Sequence, residues 1–190
     1  MLRISVPADP QDPGSWLNTD SDSVALAINL VPFAGIAFLW FIGVLRDRLG
    51  EHEDRFFATV FLGSGLLFLA TLFAAAAIAG ALIVSFASAP AQLINSAAFH
   101  FARATAYSIM NVYVVKMAAV FMFTTSTIAV YTGFAPRWMA LLGYALSLFL
   151  LFGSYYLSWS FAVFPLWVLL LSIYIFLDDS SGRPASPTNG

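Results

Sequence analysis

The chain has no cysteine among its 190 residues. That absence removes structural disulfides, thiolate metal sites and cysteine nucleophiles together. Charge is scarce too: 9% of residues are charged, against about 25% in an ordinary soluble domain. Lysine and arginine form no cluster and the formal net charge is -2, so nucleic acid is excluded as a partner. With two histidines, His52 and His100, the sequence offers no plausible zinc or haem ligand set. No metal, haem or other cofactor is expected, and no catalytic residue is assigned.

What fills the space is apolar: 61% of the residues are hydrophobic. Apart from Lys116 and Arg103, every charge lies in a terminal tail, in residues 46–55, or at Arg137. Long uncharged runs of this kind are the mark of membrane spans, each needing about 20 residues to cross a core of about 30 Å. Barrel strands would alternate apolar and polar residues, and these runs do not. The expected fold is therefore an all-α polytopic transmembrane helix bundle.

Residues 24–45, "VALAINLVPFAGIAFLWFIGVL", form the first expected span and end at the charged loop "RDRLGEHEDR". Residues 56–86 form a second, long enough to tilt or project. "ASAPAQLINSAAFHFARATA", residues 87–106, is too polar for lipid. Its Leu93, Ile94, Ala97, Ala98 and Phe101 recur at helical spacing, which predicts a short interfacial helix after Pro90 or an extension of the third span, residues 107–133. The apolar stretch 139–177 would make a rod of about 60 Å, so it must fold back. A turn at Ser158 to Ser160, beside Tyr155, Tyr156 and Trp159, gives spans 139–157 and 161–177, with Pro165 in the first turn of the fifth. Residues 1–23 and 178–190 read as disordered polar tails, the first not a cleaved signal.

Placing the amino terminus outside puts Arg46, Arg48, Arg55, Arg137 and Arg183 inside and only Arg3 and Arg103 outside. The positive-inside rule favours that orientation, with the carboxyl terminus cytoplasmic.

One charge stands in oil. Lys116 lies in "SIMNVYVVKMAAVFMF", residues 108–123, about 10 to 14 Å deep if the span starts between Tyr107 and Ile109. All ten acids lie outside the expected spans. The partners left to the amine are Asn29, Asn111, hydroxyls, backbone carbonyls freed by a kink, or water. At about 100° per residue, Tyr113, Lys116, Thr124, Thr127 and Tyr131 fall in one sector of about 80°, expected to face the bundle interior. Asn29 shares the outer half of the bilayer, and Pro32 cannot donate to the Ile28 carbonyl. The candidate binding residues are thus Lys116, Asn29, Tyr113, Thr124, Thr127 and Tyr131. They serve a packing role held by Asn29 and waters, an anionic solute in an aqueous cavity, or a carboxylate on a partner chain.

Other patterns weigh less. Glu51, His52, Glu53 and Asp54 are consecutive and read as a solvated salt-bridged loop. Leu62 to Gly65, "LGSG", lacks the Lys and Ser/Thr of a phosphate loop and reads as close backbone contact. Ala76 with Gly80, and Gly143 with Ser147, are small residues four apart, the spacing of close helix packing. Neither histidine has a serine or acid pattern that would make a hydrolase.

Residues 29–68, "NLVPFAGIAFLWFIGVLRDRLGEHEDRFFATVFLGSGLLF", resemble a segment of small uncharacterised integral membrane proteins of bacteria. The resemblance implies the bacterial inner membrane and no activity. Three function classes follow: a non-enzymatic membrane subunit or assembly factor; a small permease or channel component using the stripe around Lys116; and, behind both, a membrane enzyme. The bilayer is the first partner, with a partner membrane protein or a homo-oligomer beside it.

Overall fold

The computed structural model describes residues 21–49, 55–88, 96–153 and 160–181. Every element among them is helical. Helix α1 is Ser21–Leu49, α2 is Arg55–Ser88, α3 is Ala97–Thr132, α4 is Arg137–Gly153 and α5 is Ser160–Ser181. The first three are long and apolar enough to cross a membrane; α4 and α5 contain shorter apolar helices. Loop residues 50–54, the start of the expected interfacial segment at 90–95, the expected turn at residues 158 and 159, and residues 1–20 and 182–190 of the expected tails lie outside the described residues, whereas residues 21–23 and 178–181, also expected in the tails, are helical because they continue α1 and α5.

Local chemistry sets the ends. Asp22 in the first turn of α1 meets the positive end of the helix dipole. Pro32 stays inside that helix, which leaves the Ile28 carbonyl without its intrahelical donor. At the start of α3 the Ser96 hydroxyl accepts from the Phe99 amide at 3.1 Å, an N-cap. At its end Gly133 takes φ +70° and its amide donates to Ala129 O at 3.0 Å, a left-handed stop that suits glycine. After Pro136, α4 begins with Met139 N donating to Pro136 O at 3.0 Å. The short 133–136 connection sends α4 back along α3.

The helix expected to lie separately over residues 90–106 does not end there. From Ala97 the chain continues into α3 without a break, because residues 97–132 contain neither glycine nor proline to stop it. What it contains instead is a π segment, Ile109–Val114. A second π segment, Phe149–Gly153, closes α4. Pro165 also shifts from its expected place: with α5 starting at Ser160 it stands past the first turn, so the carbonyl four residues earlier loses a donor.

Helix α3 is the centre of the bundle. Its most apolar window is 67% buried, against 22% for α1 and 28% for α2, and it packs on α2, α4 and α5. Phe121, 0% exposed, is the hub: its ring lies 4.9 Å from Phe61 of α2, 5.1 Å from Phe38 of α1 and 6.1 Å from Phe164 of α5. Rings at these separations and tilts contribute edge-to-face and offset attraction beyond their dispersion. Gly65 of α2 lies under the same ring, since a Cβ there would stand 3.2 Å from Phe121 and 2.8 Å from Ile42. A second, smaller apolar cluster of Val24, Leu82 and Phe99 joins the start of α1, the end of α2 and the start of α3.

Candidate functional site

Lys116 is the second residue after the π segment of α3. It is half-buried, and its Nζ donates to the Leu150 carbonyl at 3.5 Å. Leu150 belongs to the other π segment, at the end of α4. A π turn widens the backbone and loosens the usual carbonyl pairing, so the amine meets a carbonyl in an irregular helical turn. Among the described residues no carboxylate lies within ion-pair distance of it. The contact is long for a hydrogen bond, and an ammonium has three donors. One remote neutral oxygen leaves most of its capacity unused.

Beside this contact lies a cavity of about 380 Å³. Its walls include Val31 and Ala34 of α1, Met110 and Val114 from the π segment of α3, Leu150 of α4 and Pro165 of α5. The two π segments and the Pro165 break therefore meet at one place, and the lining there is almost wholly apolar.

The expected stripe divides. Thr124 and Thr127 are buried. Tyr113 is 55% exposed and Tyr131 is 77% exposed, so neither faces the interior. Tyr113 lies near the end of the π segment, and at 100° per residue it shares its angular position with Tyr131, so this edge of the sector faces outward at both ends. Tyr131 stands one residue from the end of α3, its ring 5.9 Å from Phe57 of α2. Asn29 is exposed on α1 and is not brought to the amine. Asn111 turns its amide back to Tyr107 O at 2.8 Å, leaving Oδ1 buried without a hydrogen-bond partner among the described residues.

The buried threonines belong to a seam nearer the 133–136 turn. Thr124, Thr125, Ser126 and Thr127 each donate to the carbonyl four residues back, at 2.7 to 3.0 Å. Thr127 also accepts from the Tyr144 hydroxyl of α4 at 2.8 Å. Gly143 of α4 lies so near Ser126 that a Cβ there would collide with the Ser126 hydroxyl and come within 3.1 Å of Trp167 Nε1. That indole nitrogen is buried without a partner among the described residues. Tyr144, Ser126 and Trp167 were not singled out from sequence, although the run Thr124 to Thr127 signals hydroxyls on all sides of one helix turn. Gly143 and Ser147, by contrast, were legible as a small-residue pair, and both are buried.

Among the described residues no three His, Asp or Glu side chains gather as a metal-holding group, and His100 is exposed with its ring against Phe99. The chain matches no family model, no curated protein and no solved structure.

Proposed function

We propose that this chain is a multi-pass membrane protein of five spans, amino terminus outside and carboxyl terminus cytoplasmic, in a bacterial inner membrane, and that it serves as a non-enzymatic membrane subunit or assembly factor. Three long apolar helices support the membrane location. The apolar parts of α4 and α5, Arg137–Gly153 and Ala162–Asp178, are each about 25 Å long, near the thickness of the hydrocarbon core. Tyr131 and Trp138, both exposed where α3 turns into α4, suit the cytoplasmic interface as aromatic anchors beside Arg137.

The seam carries the subunit reading. Its hydroxyls at Thr124, Thr125, Ser126 and Thr127 are all committed to carbonyls of their own helix, and the Tyr144 hydroxyl ties α4 to Thr127, which supports a packing seam rather than a hydrated path. The permease reading draws on the cavity beside Lys116, but that wall is apolar and suits a hydrocarbon better than a dissolved ion.

Tagged protein extracted in mild detergent from its own membrane is expected to carry a second membrane protein in fixed ratio, and pure protein in liposomes is expected to pass no solute. A solitary chain that supports solute flux, lost in Lys116→Ala, overturns the subunit reading in favour of the permease.

A further inference from the structure

Resting on the membrane reading above, we infer that the cleft at Lys116 is a lipid site: the phosphate of an anionic phospholipid accepts from the Lys116 amine while one acyl chain lies in the neighbouring cavity.

The charge asks for such a partner. The amine has one long contact, to the neutral Leu150 carbonyl, and no carboxylate among the described residues within reach. A carbonyl dipole satisfies one N–H and leaves a full positive charge uncompensated. A phosphate supplies both the negative charge and several acceptor oxygens.

Depth selects a lipid over other anions. Counting from the outer end of the expected span placed Lys116 well inside the core. The structure gives a firmer reference at the other end, where Gly133 stops α3 and exposed Tyr131 and Trp138 stand beside the stop. Lys116 lies about 24 Å along the helix from Thr132. In a core of about 30 Å this leaves about 6 Å to the opposite headgroups, and a lysine stem spans about that distance. Held at the Leu150 carbonyl the amine stays short of that level, and only when released and extended outward does it meet the phosphates of the outer leaflet.

The cavity supplies the other half. At about 380 Å³ it falls within the range of pockets that hold small ligands, about 300–1,000 Å³. Lys116 itself is not on the wall, but Leu150 is, and the Leu150 carbonyl meets the amine, so the cavity and the amine are linked through that one residue. Ala34 is on the wall and exposed, which opens the cavity at the flank of α1, where a chain enters from the bilayer. Water finds few hydrogen-bond partners on such a wall, whereas an acyl chain restores the dispersion contacts that an empty crevice forfeits.

The test uses the full chain in detergent micelles doped with dioleoyl phosphatidylglycerol or, at equal mole fraction, dioleoyl phosphatidylcholine. Bound lipid is counted by native mass spectrometry and unfolding is followed by circular dichroism. Phosphatidylglycerol is expected to be retained and to raise Tm, while phosphatidylcholine and inorganic phosphate do neither. Lys116→Leu is expected to weaken phosphatidylglycerol binding about fivefold, the effect of about one basic residue at an anionic lipid surface, and Lys116→Arg to keep it. Ala34→Trp, which fills the cavity from its open side, is expected to weaken binding with the charge intact. Equal retention of the two lipids by the wild type sinks the proposal without any variant, so a Lys116→Leu chain that fails to fold does not rescue it. Unchanged phosphatidylglycerol binding in Lys116→Leu, together with loss of a bound protein chain, assigns the amine to a partner's carboxylate and also overturns the lipid site. Carbonate extraction tests the membrane reading separately: a chain released from membranes refutes that reading, whereas one that stays but shows no lipid preference refutes only the site.

Discussion

Toward the 133–136 turn, α3 and α4 meet through Thr127, Tyr144, Ser126 and Gly143, with side chains small or polar enough for the backbones to close. Toward the other end, π segments in both helices border the cavity beside Lys116. On the proposed membrane reading the contrast follows from the solvent. In hydrocarbon no hydrophobic effect presses two apolar helices together, so association relies on close packing and hydrogen bonds. The turn end has both, and the cleft end has little of either, with a long lysine contact where the other has a 2.8 Å hydroxyl pair. One end of the bundle is built for cohesion and the other is left able to receive something.

Substitutions at the two ends separate these roles. The largest effect is expected at the hub. Phe121→Ala should cost about 3 kcal/mol by leaving a void among Phe38, Phe61 and Phe164, measured by denaturation in mixed micelles; a cost below a third of that would mean the rings are not tightly packed. Next comes the closest approach, where Gly143→Leu should cost about 2 kcal/mol through overlap with Ser126 and Trp167. An unchanged Tm would show that α4 sits farther from α3 than described. Tyr144→Phe removes one interhelical hydrogen bond and should cost about 0.6 kcal/mol, an effect that should disappear when Thr127 is already valine. Smallest is the cleft: Ala34→Leu should stay within about 0.5 kcal/mol of the wild type, because the cavity has room for it. If it destabilises as much as Gly143→Leu, the two ends do not differ and the comparison fails.

Much of the helical frame could be read from residue types alone. The first two apolar runs, 24–45 and 56–86, lie within Ser21–Leu49 and Arg55–Ser88, because charged residues bracket the loop between them and nothing inside either run ends a helix. The fold-back of 139–177 is realised as two helices, with residues 154–159 between them outside the described residues. Two features were only partly legible. The join of residues 97–108 to the third span stood as one of two readings, because Arg103 and His100 look too polar for a continuous apolar helix; in the structure Arg103 is buried and His100 faces outward. The π segments leave no compositional mark, since "IMNVYV" and "FLLFG" are ordinary apolar strings, and each shifts the register by a fraction of a turn. For Lys116 a backbone carbonyl was one of several partners the sequence left open, and the identity of Leu150 depended on a π segment with no proline to announce it.

The length of α3 has a consequence of its own. At 36 residues it is a rod of about 54 Å, and a slab of about 30 Å leaves its opening turns standing out of the oil. With the bilayer placed as proposed, the knot of Val24, Leu82 and Phe99 sits where water can reach it and is held by ordinary aversion to water. Urea, working from the aqueous side, should loosen that knot while the buried bundle beneath stays shut, and the protein should come apart in two separate steps.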